Sequence, residues 1–355
     1  MDASNESANL DFLRTLAVLS VVLAHAQLLF EQRKYPHLHW LAELHGVGGW
    51  GVLMFFVHTS LVLMFSLERQ QRRLPSNSIY GSFLVRRVLR IYPLSVFVVL
   101  LVALCRFPVA HYTNGRFLSA DLSMPGVFAN VFLIQDLTKA DSIIAPLWSL
   151  PYEMQMYLFL PALYLLVRDT RRTWPMISIW VNVALIAHYF GFMGRPGVRE
   201  FLIYVPCFLS GIIAYRLTMT RKLQLGPAAW PVTLALITIL YLIWHKAYAS
   251  WCCCLLLGIA IPQFRELNNP LLRKLFATVA RYSYGIYLLH FLCMWIAFQA
   301  IGGIAEWSRW TIFFVTVSVF PVLTYHLLEA PLMHADKTIW PVLRAKIHIR
   351  KTSVA

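Results

Sequence analysis

The chain has 355 residues, of which 59% are hydrophobic and only 13% are charged, with a mean hydropathy of +0.62. A soluble globular chain carries about 25% charged residues, so this composition excludes a soluble fold and points to a polytopic membrane protein. The net charge of +15 does not indicate nucleic acid, because the basic residues alternate from one connection to the next as the positive-inside rule requires. Their partner is the anionic headgroup layer of membrane lipids.

Ten apolar stretches near the 20-residue length of a membrane helix run over 10–30, 47–67, 88–106, 147–167, 174–192, 200–217, 228–245, 247–263, 283–301 and 310–330. They predict an all-α, polytopic transmembrane bundle of about ten spans, read as one domain over 1–355. The seventh and eighth stretches meet at the short polar break Trp244–His245–Lys246. The even connections hold Arg69, Arg72, Arg73, Arg86 and Arg87, then Arg168, Arg171 and Arg172, then Arg216, Arg221 and Lys222, then Arg265, Arg273, Lys274 and Arg281. The tail, 332–355, adds Lys337, Arg344, Lys346, Arg350 and Lys351, whereas the odd connections hold few, such as Arg33 and Lys34 or Arg309 alone. Both termini are therefore expected in the cytoplasm. The polar segment before the first span lacks a basic n-region, so that span is expected to remain as an anchor.

The first span, NLDFLRTLAVLSVVLAHAQLLF, carries Arg14 and His25. Ionisable residues at membrane depth are costly and read as functional. Eleven residues make almost three helical turns, so both side chains share one face, about 16 Å apart along the axis. A fixed cation and a titratable imidazole on one wall suit an anion anchor and a proton acceptor. The second span carries the polar notch His58–Thr59–Ser60, whose hydroxyls are expected to bond back to their own helix.

At the edge of the third span the run FLVRRVLRIYPL places Arg86, Arg87 and Arg90 within five residues. Arg86 reads as a cation touching lipid headgroups. Arg87 and Arg90, three apart on one face, suit a phosphorylated ligand that guanidinium forks grip bidentately. The connection over 107–146 is expected outside, with the apolar patch Val127–Leu137 forming a re-entrant or interfacial helix and the loop a cap for an acceptor. In the fourth span, APLWSLPYEMQMYLFLP, Glu153 must be protonated or paired, with Arg14 or Arg90 as partner, or else it orients His25. The ninth span contains His290, and the tenth ends in Glu329–Ala330–Pro331, read as a helix terminus. Six cysteines, including the run Cys252–Cys254, show no metal-ligand spacing and read as apolar filler.

These pieces resemble the acyltransferase 3 family of integral-membrane O-acyltransferases over nearly the whole chain. The resemblance rests on the Arg14/His25 pair, Phe55–Ser60, the RRxxRIxP run Arg86–Pro93, and LWSLxxExxxY at Leu147–Tyr157. FLxG at Phe208–Gly211, SYxIYLLH at Ser283–His290 and Glu329–Pro331 complete it. One departure stands at 55–61, where Ser60 replaces a usual glycine and His58 adds an imidazole.

The resemblance implies transfer of an acyl group, usually acetyl, from cytoplasmic acyl-CoA (acetyl-CoA) as co-substrate to a hydroxyl of a saccharide or glycolipid acceptor. It implies no tightly bound cofactor, and the bacterial inner membrane is the expected location. His25 is expected as general base, with direct transfer and an acyl-histidine intermediate both open. Glu153 joins it in the catalytic set, and Arg14, Arg87 and Arg90 bind the donor. His58, Thr59, Ser149, Tyr152 and His290 are expected to meet substrate, the hydroxyls Thr59, Ser149 and Tyr152 as candidates for oxyanion stabilisation. The competing class is a lipid-linked sugar flippase or transporter. Internal repeats with matched broken helices would mark it, and none is apparent in the sequence.

Overall fold

The computed structural model describes residues 7–32, 46–73, 75–113, 115–169, 172–192, 198–219, 223–244 and 247–334. The expectations resting on Arg33, Lys34, Arg171, Arg221, Lys222, His245, Lys246, the basic tail and the two termini lie outside these residues.

Each apolar stretch forms a helix. They are α1 (Ala8–Gln32), α2 (Gly46–Gln71) and α3 (Ser76–Cys105), followed by β1 (His111–Thr113) and β2 (Arg116–Leu118). Next come the short helices α4 (Met124–Val131) and α5 (Gln135–Thr138). Then follow α6 (Leu150–Arg168), α7 (Trp174–Phe192), α8 (Val198–Thr218), α9 (Ala229–Ile243) and α10 (Ala247–Ala260). The chain closes with α11 (Pro270–Trp295) and α12 (Glu306–Thr324), each prolonged by a π-helical turn, Ile296–Ala300 and Tyr325–Glu329. Among the described residues six helices (α1, α2, α3, α8, α11 and α12, the last two with their π turns) are long and apolar enough to cross a membrane, while α7, α9 and α10 are apolar but shorter.

Two helices begin well before their apolar stretch. α3 starts at Ser76 and α11 at Pro270, where the Asn269 side chain caps the amides of Leu271 and Leu272. Hydropathy marks only the part of a helix that needs lipid or core. The polar first turns are helical too, and they carry Arg86, Arg87, Arg281 and Ser283 as ordered side chains.

The described residues are all-α in class, with one short hairpin between the helices. β1 and β2 form an antiparallel hairpin with Tyr112 opposite Phe117. The turn reads Asn114–Gly115, a strong two-residue hairpin signal, and Gly115 has φ +79°, the left-handed region that glycine adopts freely. The following apolar patch is split between α4, capped by Ser123, and α5, with Phe128 on α4, Phe132 just after it and Leu137 on α5 exposed. Asn130, fully buried, ties this loop together through Gly126 O, Asp141 O and the amide of Ile143.

α1 packs between α2 and α11, and α8 packs against α2, α7 and α10. Close approach replaces hydrophobic drive where lipid is the solvent. A Cβ on Gly51 would sit 2.6 Å from the carbonyl oxygen of Ala17, and one on Gly211 would sit 2.2 Å from that of Val57 and 2.0 Å from Ser60 Oγ. The departure at Ser60 is therefore accommodated by Gly211 across the α2–α8 crossing. Ser60 also bonds back to Phe56 O and Val57 O at 2.9 and 3.1 Å, as expected. Cys253 and Cys254 are buried in the apolar core. Beyond the π turn of α11, Arg309 Nη1 donates to the carbonyls of Ala297, Phe298 and Ile301.

Candidate active site

Two cavities share a wall of arginines. The start of α1, the middle of α3, the first half of α11 and the end of α12 converge on a basic vestibule of about 470 Å³, lined by Asp11, Arg14, Arg86, Arg87, Arg90 and Arg281 among others. Arg14, Arg87 and Arg90 also line an inner cavity of about 110 Å³, together with His58, Thr59, Ser149, Glu153, Tyr157 and Tyr287. The helix spacing explains the sharing. Arg87 and Arg90 lie one turn apart on α3, so their long side chains reach the same partition that Arg14 reaches from α1.

The three guanidiniums are held differently. Arg14 Nε donates to Ser283 Oγ at 2.6 Å, and Ser283 is anchored in turn to Ala280 O. Arg90 is paired with Glu329 at 2.8 Å and lies against the rings of Tyr284 and Tyr325. Glu329, 1% exposed, holds a cation and, against the expectation from sequence, does not end the helix, which runs on past Pro331 to His334. The π turn Tyr325–Glu329 carries it there. Arg87 lies over Phe83, 5.8 Å from the centroid, and its buried Nε has no hydrogen-bond partner among the described residues. Glu153 accepts a short hydrogen bond from Tyr157 and has Arg14, Arg87 and Arg90 as charged neighbours. Around the two cavities five guanidiniums (Arg14, Arg86, Arg87, Arg90 and Arg281) meet three carboxylates (Asp11, Glu153 and Glu329), leaving the surround net positive with Arg87 Nε unsatisfied, which is the arrangement an anionic ligand completes.

Toward the hairpin end, Ser149 and Tyr287 join hydroxyls at 2.7 Å on the inner cavity's wall. The Tyr287 ring lies 6.3 Å from that of His290. His290 Nε2 is 2.9 Å from His25 Nδ1, and Phe291 meets His25 edge-on at 5.3 Å. The hairpin covers this pair, with Phe117 against Phe291 at 5.3 Å and its backbone amide bonded to Gln299 at 2.7 Å. A third cavity of about 430 Å³ opens there, lined by Tyr112, Arg116, Phe117, Phe298 and Gln299.

Arg14, Arg87, Arg90, Glu153, His58, Thr59 and Ser149 are therefore brought to one cavity, and His25 with His290 stands beyond it. Tyr152 is not. One residue from Glu153 means about 100° around the helix, and its hydroxyl donates instead to Glu200 at 3.0 Å. Glu153 bonds to Tyr157 among the arginines, and the side chain facing His25 is that of His290, 0% exposed and on the wall of none of the three cavities. Ser283, Tyr287 and His290, spaced four and three apart on one face of α11, carried a helical signal for this role.

A model of the acyltransferase 3 family, described as an acyltransferase domain, matches residues 7–326. The chain belongs to this family. Nodulation protein 10 of Rhizobium leguminosarum bv. viciae is 25% identical over 397 residues, covering 100% of both chains. The acyltransferase MdmB of Streptomyces mycarofaciens is 22% identical over 348 residues, covering 90% of this chain and 86% of its own. No solved structure matches. Family and apolar helices together make this an integral membrane acyltransferase.

Proposed function

We propose that the protein transfers an acyl group, acetyl in the simplest case, from acyl-CoA to a hydroxyl of a saccharide or glycolipid acceptor, with His25 as general base. The observation that carries this reading is the arginine partition between two cavities, with the guanidinium of Arg87 incompletely bonded. Phosphates of the donor bind in the vestibule against Arg14, Arg87 and Arg90, and the narrow inner cavity takes the uncharged pantetheine arm and thioester. A bacterial inner membrane with the vestibule facing the cytoplasm fits a donor made there.

The acceptor approaches from the hairpin end. The imidazole of His25 takes the hydroxyl proton as the oxygen attacks the thioester carbonyl. The C–S bond then breaks, and the proton passes to the departing thiolate, leaving ester and free CoA. In this reading the Ser149–Tyr287 pair, one of whose hydroxyl hydrogens is taken by the bond between them, and Thr59 donate to the developing oxyanion. Glu153 keeps the arginine cluster in register. The name of one relative, an acyltransferase, agrees with the transfer.

The test is thiol release from acetyl-CoA by the full chain in nanodiscs, with envelope glycans as acceptor. Turnover in wild type that is lost in Arg87→Ala supports the reading. Failure of wild type to bind or turn over any CoA thioester overturns it and leaves transport of a lipid-linked sugar as the function of the same cavities.

A further inference from the structure

We infer that His290 is a positioning residue that fixes the tautomer of His25, so that Nε2 is the nitrogen of His25 that takes the proton. The inference rests on the acyl-transfer reading for its chemistry but on hydrogen bonds alone for its geometry.

His290 Nδ1 lies 2.7 Å from the carbonyl oxygen of Tyr287 and 3.2 Å from that of Ile286. Carbonyls only accept, so Nδ1 carries the hydrogen. A neutral imidazole has one N–H, and His290 is sealed from solvent, so its Nε2 presents a lone pair. That lone pair faces His25 Nδ1 at 2.9 Å, and one of two facing nitrogens must donate. His25 also hydrogen-bonds the backbone of Val21, one turn back on α1; a neutral imidazole has one N–H, so with Nδ1 donating to His290 that hydrogen is shared between the two partners, and His25 Nε2 is left as the base.

The chain of groups carbonyl, imidazole, imidazole has a direction that neither histidine has alone. It also spreads charge. When His25 Nε2 takes the hydroxyl proton, the resulting imidazolium strengthens its Nδ1–H bond to His290, and His290 leans on the Tyr287 carbonyl. A neutral histidine here does what a carboxylate does in other hydrolytic and transfer sites, without placing an anion beside a thioester carbonyl. The apolar surround of Phe291 and Phe117 suits an uncharged partner better than a charged one.

The experiment is nitrogen NMR of the full chain in nanodiscs with labelled histidine, His25 being assigned by its loss in His25→Ala. In wild type the expected result is one tautomer, with Nδ1 protonated and Nε2 not. His290→Leu, which removes the acceptor, should give mixed tautomers. His290→Gln, which keeps one donor and one acceptor, should restore the single form. Protonation of His25 at Nε2 in wild type, or a tautomer unchanged in His290→Leu, overturns the inference. Turnover supplies the second arm. His290→Leu should lower kcat about 10²-fold with the KM for acetyl-CoA unchanged, and His290→Gln should recover part of the loss. Loss through KM alone overturns the positioning role. If wild type turns over no thioester, the NMR result still decides the tautomer, so the two failures are distinct.

Discussion

The two ends of the site solve opposite problems. At the arginine end, charges are abundant and incompletely matched: Arg87 has a buried donor without a partner, while Arg90 is locked to Glu329. At the histidine end two imidazoles face each other among aromatic rings, and His290 has both its nitrogens engaged. An end that must grip an anion keeps donors free at a cost in stability. An end that must move a proton fixes its geometry first and leaves one lone pair open. Substitutions at the two ends should therefore fail in different ways.

The largest effect belongs to His25→Ala, which should lower kcat by about 10³-fold while acyl-CoA still binds. Calorimetry of donor binding beside thiol release separates the two, and weakened binding would place His25 at the wrong end. Next is Glu329→Ala. It leaves Arg90 without its buried carboxylate and should cost about 3 kcal/mol of stability, read as a lower thermal unfolding midpoint in detergent. Wild-type unfolding would mean the pair is not structural. Arg87→Ala should weaken donor binding about 30-fold, of order 2 kcal/mol for charge-assisted hydrogen bonds. Unlike Glu329→Ala, it should leave the unfolding midpoint in place or raise it. Smallest is Ser283→Ala, which frees Arg14 Nε and should shift donor affinity by about fivefold with no change in kcat; a kcat effect would show that Arg14 reaches the reacting atoms.

The helices were legible because lipid-length apolar runs have few other solutions, and Arg14 with His25 could be put on one face by counting turns. The partner of His25 was not legible. Glu153 was read for that place and His290 as meeting substrate, and the outcome depends on α11, not α6, lying beside the C-terminal half of α1, a contact between residues 265 positions apart. Tyr152 failed for a local reason, since one step along a helix changes the face. The hairpin was readable from Asn114–Gly115, but a search for apolar length passes over six residues that pair with each other.

Arg309 has a consequence for how the chain enters a membrane. On the charge alternation read from the sequence, it is expected on the side where cations resist export. Its Nη1 donates to three backbone carbonyls at the end of α11 and its Nε lies 3.8 Å from Glu306, so in the folded protein it is a paired helix cap rather than a free charge. Exchange of Arg309 for a neutral residue would ease translocation of that connection while leaving the mouth of α11 with open carbonyls, trading assembly against the finished fold.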